Sequence, residues 1–297
     1  MKLDISLCTF RRAFVAQTLR SIDALRRPEG VEIRVIVVDN DDTPSAQGLV
    51  EQTAAAMQLP VHYVHAHGAN ISIARNAGLD AAEGDWIAFL DDDEVADPGW
   101  LVALFARQRD TGADGVFGHS QATYGPDAPE WIVKGNFHSQ FVAPRASVVE
   151  TGHTCNALLR WGNAPWRRER FEVGRGKAGG EDTEFFFRLR RMGARYAIAD
   201  NAIVREDVPP SRLGLKWLLR RRFRIGQSYA SSATTGFGRV QLFGLAAVKS
   251  GYSFLRAGLV FGKPEQRAFW LMRGMMHAGV CSGCLRLRQA DLYGKKG

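Results

Sequence analysis

Strand and helix signals alternate regularly over the first 112 residues of the chain. One strand segment, IRVIVVDN, is an almost continuous β-branched run, as expected for a strand buried on both faces. The four predicted strands span residues 3–9, 33–40, 61–66 and 85–90. The four predicted helices span 14–25, 43–58 with Thr43 as N-cap and Pro44 at the first position, 71–84, and 97–112 with Asp97 as N-cap. This order predicts an α/β fold in which helices cover a parallel sheet.

Polar residues follow three of the four predicted strands. Thr9, Phe10 and Arg11 come after the first strand, residues 39–42 (DNDD) end the second, and residues 91–93 (DDD) end the fourth. Ligands of open parallel sheets bind beyond the carboxyl ends of the strands. We therefore expect these three segments to converge in space and to form a ligand site.

The fourth strand runs directly into four acids, Asp91, Asp92, Asp93 and Glu94. Carboxylates this close repel one another and raise each other's pKa values unless they stay in water or share a cation. Mg²⁺ or Mn²⁺ takes one or two protein carboxylates and completes its shell with water and substrate phosphates. Asp91 and Asp93 suit such a partial shell, and a solvated turn is the alternative interpretation.

A second acidic segment, GGEDTEFFFRL, places Glu181 and Asp182 at the predicted start of a helix. Acids favour helix N-termini, so ordinary capping is one interpretation. The other is a general base, because a carboxylate that faces a site accepts a proton from a sugar hydroxyl. In a third segment, GANISIARNAGL, Arg75 meets a diphosphate, pairs with the acids, or forms a surface salt bridge.

The C-terminal third of the chain is basic, whereas the rest is slightly acidic. Residues 205–297 contain 17 Lys and Arg against 4 Asp and Glu, and residues 1–204 contain 22 against 27. This asymmetry indicates an anionic partner such as a phosphorylated substrate, anionic lipid or nucleic acid. On the predicted helix WLLRRRFRIGQS, Arg221 and Arg224 either belong to a solvated basic face or bind a diphosphate.

Residues 239–288 are apolar with basic residues at intervals, and they contain no run of 18 uncharged apolar residues. We therefore predict no transmembrane helix. Two interpretations remain: helices that lie in a membrane interface, or a helical cap on the catalytic domain. The aromatic residues expected to insert are Phe243, Tyr252, Phe254, Phe261, Phe269 and Trp270. Four scattered cysteines and an N-terminus without a secretion signal predict a cytoplasmic protein without a disulfide framework.

Six segments in this order resemble the inverting family-2 glycosyltransferases, which have the GT-A fold. They are SLCTFRR, VIVVDND, NISIARNAGL, WIAFLDDDE, GHTCNALLR and GGEDTEFFFRL. The chain is most similar to a bacterial exopolysaccharide subgroup, the succinoglycan-type β-glucosyltransferases. The resemblance implies a Rossmann-like GT-A domain over residues 1–204, with a nucleotide-sugar half at 1–110 and an acceptor half at 111–204. Residues 205–297 would form a basic, membrane-associating helical region.

The resemblance also implies roles for individual residues. Asp93 and Asp91 would hold Mn²⁺ or Mg²⁺, and Asp182 would be the catalytic base with Glu181 beside it. The residues implied for the nucleotide sugar are Thr9, Phe10, Arg11, Asp39, Asp41, Arg75, Asp91 and Asp92. Those implied for the acceptor are Cys155, Asn156 and Trp131, and those for the diphosphate are Arg205, Arg221 and Arg224. At Arg205 many relatives have a metal-binding His, so Glu206, Asp207 or water would complete the shell here.

The function implied is transfer of a hexose, glucose in β linkage, from a UDP-sugar to a lipid-linked saccharide at the inner face of the plasma membrane. No nucleic acid partner is expected, and formation of a homo-oligomer stays open. A sugar nucleotidyltransferase is one alternative, but CTFRRAF lacks the glycine-rich phosphate loop of that class. A nucleic-acid-binding protein is the other, but its phosphate ligand would be repelled by the acids after strands two and four.

Overall fold

The described residues of the computed structural model, 1–142, 144, 148–177, 179–233 and 236–287, contain one eight-stranded sheet. The strands are β1 Lys2–Thr9, β2 Glu32–Asp39, β3 Val61–His65, β4 Trp86–Asp91, β5 Glu94–Ala96, β6 Gly115–Thr123, β7 Asn156–Arg160 and β8 Tyr196–Asp207. Their order is β3-β2-β1-β4-β7-β6-β8-β5. Strands β1 to β4 pair in parallel, as predicted, while β7 runs antiparallel to both β4 and β6.

Nine α-helices are present among the described residues. They are α1 Val15–Asp23, α2 Gln47–Ala54, α3 Ile71–Ala81, α4 Trp100–Thr111, α5 Glu130–Gly135, α6 Glu181–Arg191, α7 Leu215–Ala233, α8 Phe237–Leu259 and α9 Pro264–Cys284. Alternate residues of β2 enter two different cores, because successive strand side chains point to opposite faces. Val35 and Val37 pack with α1, α2 and α4, whereas Ile36 and Val38 pack with α3 and α6.

Two helices begin later than the sequence predicts. α2 begins at Gln47 rather than after Thr43, because the Asp39 carboxylate accepts the Ala46 N–H at 2.7 Å and fixes the preceding turn. α4 begins at Trp100 with Gly99 at the N-cap, because Asp97 is paired with Arg205 instead of capping the helix. The short strand β5 was not predicted. It follows the acids directly and pairs antiparallel with β8.

The chain divides into two compact units: residues 1–121 with 140–206, and residues 122–139 with the described chain from 207 onward. In the second unit, Ile132 and Phe137 share a core with Leu218 and Met272. Residues 122–139 therefore pack with the C-terminal helices, although the sequence-based boundary grouped them with the acceptor half. The proposed functions of the two halves stay a prediction, and residues 288–297 of the predicted tail lie outside the described residues.

Helices α7 and α9 of the second unit pack against each other through glycines. A Cβ at Gly226 would collide with the Met276 carbonyl, and one at Gly279 would collide with the Phe223 carbonyl. The two backbones can therefore approach more closely than side chains would permit. In the described part of the chain, no helix has both the length and the apolar character needed to cross a bilayer.

Candidate functional site

The carboxyl ends of three strands lie side by side in the first unit. Thr9 at the end of β1 is in register with Asp39 of β2, and Cys8 is in register with Asp91 of β4. Parallel pairing with little stagger brings the polar segments that follow these strands to one edge of the sheet. The three segments therefore converge at this edge, as the sequence predicts.

The loop after β1 is fixed by the acids of its neighbours. Thr9 donates its hydroxyl to Asp92 at 2.7 Å, and Arg11 forks onto both oxygens of Asp41 at 2.7 and 2.8 Å. This bidentate pair holds the pKa of Asp41 well below its usual range. Arg11 has a φ of +55°, a left-handed conformation that is uncommon without glycine, and its guanidinium lies 5.0 Å from the ring centroid of Phe10.

Asp39 is fully buried and already hydrogen-bonded through both oxygens. It accepts the Asp41 N–H at 3.0 Å on one oxygen, and the Ala46 N–H at 2.7 Å and the Tyr63 hydroxyl at 2.8 Å on the other. These bonds hold the loop after β2 in place. A contact from Asp39 to a uracil base would have to share these oxygens and open a path to a buried group.

The acids after β4 differ in their surroundings. Asp92 is buried and accepts the Thr9 hydroxyl and one Arg12 N–H, while Arg12 also lies 2.6 Å from Asp93. Burial raises the pKa of Asp92 to about 6, with Arg12 opposing the shift and Asp93 adding to it. Asp91 keeps 42% of its side chain exposed. Its partial desolvation raises its pKa to about 7, with Arg75 opposing and Asp93, Asp92 and Glu206 adding to the shift.

Two further acids, Glu94 and Glu206, face each other beside this cluster. They are paired residues of β5 and β8, and Glu94 is buried and accepts the Asp91 N–H at 3.3 Å. Burial, and then the charge of Asp91, raises the pKa of Glu94 well above its usual range. Glu94 and Glu206 therefore extend the acidic cluster beyond residues 91–93.

Arg75 links these acids to helix α6. It is buried, forms an ion pair with Glu181, and lies 3.7 Å from Asp91. Burial lowers the pKa of Arg75, but the charges of Glu181 and Asp91 outweigh this effect and hold it above its usual value. The helix α3 that carries Arg75 is capped by Asn70, whose side-chain oxygen accepts the N–H groups of Ser72 and Ile73.

Glu181 and Asp182, the first two residues of α6, have opposite electrostatic environments. Burial raises the pKa of Glu181, and its Oε2 is buried with no hydrogen-bond partner among the described residues. For Asp182, burial acts to raise the pKa, but the hydrogen bond and charge of His153, together with the charge of Arg75 and the Thr183 N–H, outweigh it and lower the pKa to about 2. The Nδ1 of His153 lies 3.2 Å from Oδ2 of Asp182. Asp182 is therefore ionised at neutral pH and able to accept a proton.

The residues implied for the acceptor belong to different units of the chain. Asn156 is buried and fully hydrogen-bonded, accepting from the Trp100 indole and donating to the carbonyls of His119 and Ala202. Cys155 beside it is buried, and burial raises the pKa of its thiol well above the usual range. Trp131 belongs to the second unit, where its ring packs 6.0 Å from that of Phe137.

The arginines implied for the diphosphate have other partners in the structure. Arg205 forks onto both oxygens of Asp97 at 2.8 and 2.9 Å, so it would have to leave Asp97 to reach a ligand. In the second unit, Arg221 lies 5.3 Å from the Trp217 ring centroid and donates to the His138 carbonyl at 3.4 Å. Arg224 is half-buried on α7.

The residues at the acidic edge fit a hard divalent cation. Their donor atoms are carboxylate oxygens, and burial, with neighbouring carboxylates adding to it, raises the pKa values of Asp91 and Glu94. The charge of a bound cation would oppose both effects. Among the described residues, no group of three or more His, Cys, Asp and Glu is arranged as a metal site. Asp93 and Asp91 would thus supply two ligands and leave the remaining positions to water and substrate oxygens.

Two residues of the site were missed in the sequence, Arg12 and His153, and Glu206 was named only for the metal shell and not as the neighbour of Glu94. Arg12 and His153 lie inside motifs quoted above, CTFRRAF and GHTCNALLR, but neither motif indicates which acid its basic residue contacts. Those contacts join residues 80 and 29 positions apart, so they depend on the fold. Glu206 comes into place through the pairing of β8 with the unpredicted strand β5.

Comparisons with known proteins bear on the family and the fold. The profile of Glycosyl transferase family 2 matches residues 5–192. The chain is 43% identical over 299 residues to succinoglycan biosynthesis protein ExoM of Rhizobium meliloti (strain 1021), and the match covers 100% of this chain and 97% of that protein. A shorter match, 36% identical over 97 residues, links it to succinoglycan biosynthesis protein ExoO of the same organism and covers 32% of this chain and 27% of that protein.

Solved structures resemble the fold at low sequence identity. The mannosyltransferase PcManGT from Pyrobaculum calidifontis, in complex with GDP-Man and Mn²⁺, aligns with a TM-score of 0.65 at 17% identity, covering 95% of this chain and 86% of that one. S. aureus TarS 1-349, in complex with UDP-GlcNAc, aligns with a TM-score of 0.54 at 14% identity, covering 100% and 99%. At such identities the likeness concerns the fold alone.

Proposed function

The chain belongs to glycosyl transferase family 2 and has the GT-A fold, and from this premise we propose which transfer it catalyses. The proposed donor is a UDP-hexose, with glucose transferred in β linkage, and the proposed acceptor is a polyprenyl-diphosphate-linked saccharide at the inner face of the plasma membrane. The full-length similarity to ExoM supports a role in exopolysaccharide synthesis of the succinoglycan type. The donor sugar and its linkage rest on the resemblance of the sequence motifs to the succinoglycan-type β-glucosyltransferases.

The observation that carries the proposal is the link made by Arg75. One guanidinium contacts both Asp91, at the acidic edge of the sheet, and Glu181, which precedes the proposed base Asp182. A nucleotide diphosphate needs a cationic environment, while the acceptor hydroxyl needs a carboxylate nearby. The two requirements are met by adjacent groups at this edge.

Residues of the edge would bind and orient the donor. Thr9, Phe10 and Arg11 border the place for the nucleoside, and Asp93 with Asp91 would hold Mn²⁺ or Mg²⁺. When bound, such a cation supplies positive charge for the diphosphate. Arg75 adds a fixed positive charge beside it. The departing UDP then needs no proton from a protein acid.

Asp182 would act as the base. It removes the proton from the acceptor hydroxyl, and the hydroxyl oxygen attacks the anomeric carbon from the face opposite the diphosphate. The bond between that carbon and the phosphate oxygen breaks, and its electron pair leaves with UDP. The single displacement inverts the configuration. His153 keeps Asp182 ionised and oriented before the acceptor arrives.

Release of UDP tests the transfer. The purified chain is incubated with UDP-glucose, UDP-galactose, UDP-GlcNAc or GDP-mannose, with Mn²⁺ or EDTA, and with a short-chain polyprenyl-diphosphate saccharide. We expect acceptor-dependent UDP release with one UDP-hexose and loss of it in EDTA. Asp182→Asn should lose transfer and keep donor-induced thermal stabilisation. Wild-type turnover by this variant would remove Asp182 as the base, and release of GDP alone would overturn the UDP assignment.

A further inference from the structure

Helix α8 exposes its large apolar residues to solvent and buries small residues. The residues that it buries are small: Ala246, Ser250, Ser253 and Ala257. The residues that it exposes include Val248, with 73% of its surface accessible, and Leu255, with 63%. In a surface helix of a water-soluble protein, the large apolar residues face the core and polar residues face out. The arrangement on α8 is inverted.

The inverted face is continuous along the whole helix. With 100° per residue, its members fall within one band that runs the length of α8 and contains neither an acid nor a base. We call this band the outer face of α8. Its exposed apolar members are Phe237, Val240, Leu245, Val248, Tyr252, Leu255 and Leu259. The turn that follows adds Phe261, which is 83% exposed. An apolar surface of this extent marks an interaction site.

Positive charge borders the outer face. Lys249 and Arg256 are seven residues apart, so they lie on the same edge of α8, and both are exposed. Arg256 and Arg273 lie 5.3 and 5.9 Å from the ring centroid of Trp270. Over residues 236–287 the sequence has seven Lys or Arg and a single acid, Glu265. Apolar side chains with a basic border and aromatic neighbours are the features of helices that lie in a lipid interface.

We propose that the outer face of α8, with Phe261 at its end, is inserted into the interfacial layer of an anionic bilayer, with the helix lying parallel to the membrane. The surface is inferred from α8 and α9 alone, and it rests on the proposed function only for its purpose, which is access to a lipid-linked acceptor. It also revises the set of inserting aromatics. Phe243 is half-buried in a core with Ala246 and Val280, and Trp270 packs 5.8 Å from Tyr252.

A second copy of the chain is the competing occupant of this face. In an isologous dimer, both copies would bring their basic borders to the same interface, and like charges in contact oppose association. An anionic lipid surface instead attracts each Lys or Arg near it. Charge complementarity therefore favours lipid as the occupant.

Vesicle flotation with the full chain tests the proposal. The probes are vesicles of phosphatidylcholine alone and of phosphatidylcholine with 30% phosphatidylglycerol. We expect binding to the anionic vesicles that weakens as salt is raised. The double variant Val248→Glu with Leu255→Glu should lower the partition coefficient at least about tenfold, because it removes two inserting side chains and adds charge that lipid repels. Both sites are exposed, and Glu is a good helix former, so the fold should persist.

Val133→Glu is the control for Val248→Glu alone, because each variant adds one negative charge. It also exchanges an exposed valine on a helix of the second unit for glutamate, but it lies outside α8, and it should float like the wild type. Equal flotation of the wild type and the double variant overturns the proposal. So does an equal loss in Val133→Glu and Val248→Glu, since binding would then follow net charge alone.

Gly251→Leu separates lipid from a second copy. A Cβ at Gly251 meets no atom within 4 Å, so the larger side chain fits and adds apolar area to the outer face. We expect it to increase the partition coefficient and to leave the mass of the lipid-free protein in light scattering unchanged. A concentration-dependent dimer that Gly251→Leu abolishes would overturn the proposal. Flotation uses no sugar nucleotide, so its result is independent of UDP release. Either proposal can therefore fail while the other succeeds.

Discussion

Arg75 and Glu181 form a buried ion pair that joins helix α3 to the first residue of helix α6. Neither partner can be removed alone without leaving an uncompensated charge away from water. The pair therefore fixes the position of α6, and with it Asp182, relative to the acidic edge of the sheet.

The first prediction concerns the stability that depends on this pair. Arg75→Met should lower the free energy of unfolding by about 3 kcal/mol, because it leaves the Glu181 carboxylate buried and unpaired. The double variant Arg75→Met with Glu181→Leu should regain most of that loss, since two apolar side chains replace two charges. Urea unfolding of both proteins measures the difference.

A surface pair provides the comparison for this prediction. Lys134 and Glu130 are exposed on α5, and Lys134→Met should leave the unfolding midpoint almost unchanged, because water screens such pairs. If Arg75→Met behaved like Lys134→Met, the pair would not be structurally important.

The second prediction concerns the pH dependence of transfer. The pKa of Asp182 is about 2 because His153, together with the charge of Arg75 and the Thr183 N–H, outweighs the effect of burial. His153→Ala removes the hydrogen bond and the charge of His153, so the pKa of Asp182 should rise. An acid with a raised pKa is protonated, and inactive as a base, over a higher pH range. The ratio of kcat at pH 5 to kcat at pH 8 should therefore be lower in the variant than in the wild type. An unchanged ratio, with transfer retained, would show that His153 does not control the ionisation of Asp182.

The third prediction distinguishes the roles of Asp92 and Asp93 by the thermal midpoints of their variants with and without ligand. Asp93→Asn should keep the thermal midpoint of the ligand-free protein and lose the extra stabilisation by UDP with Mn²⁺. Asp92→Asn should lower the midpoint without ligand, because Asp92 is buried and accepts from Thr9 and Arg12. Differential scanning fluorimetry with and without UDP and Mn²⁺ measures both effects. The assignment of Asp93 as a ligand is wrong if both variants respond to Mn²⁺ like the wild type.

The fourth prediction concerns the cost of the buried charge on Glu94. Its pKa in the folded state is raised, so between its ordinary pKa and the raised value the folded chain binds more protons than the unfolded chain. The contribution of Glu94 to stability consequently falls as the pH rises. Glu94→Gln cannot ionise, and its thermal midpoint relative to the wild type should increase from pH 5 to pH 8 in EDTA. If the midpoint difference between Glu94→Gln and the wild type stayed constant or decreased with pH, the folded chain would stabilise the charged form of Glu94.

The convergence of the strand-ending segments follows from the sequence, but the pairing of their side chains does not. Strand-ending polar segments predict the edge at Thr9, Asp39 and Asp91 because parallel strands share a direction. The starts of α2 and α4 could not be predicted, since Asp39 and Asp97 bond to residues that are placed by the fold. The same holds for Arg12, His153 and Glu206, whose partners are distant in the chain or lie on an unpredicted strand. The grouping of residues 122–139 with the C-terminal helices also could not be predicted, because it depends on packing between residues that are distant in the sequence.

The glycines of the C-terminal helices look alike in the sequence, yet the contact between α7 and α9 divides them into two classes of mutational tolerance. Gly226 and Gly279 face the backbone of the opposite helix, so even alanine there would force the helices apart. Gly244 and Gly258 have open space around them and accept any side chain that a helix allows. A library that randomises all four positions should therefore retain glycine at the first pair among folded chains and lose it freely at the second.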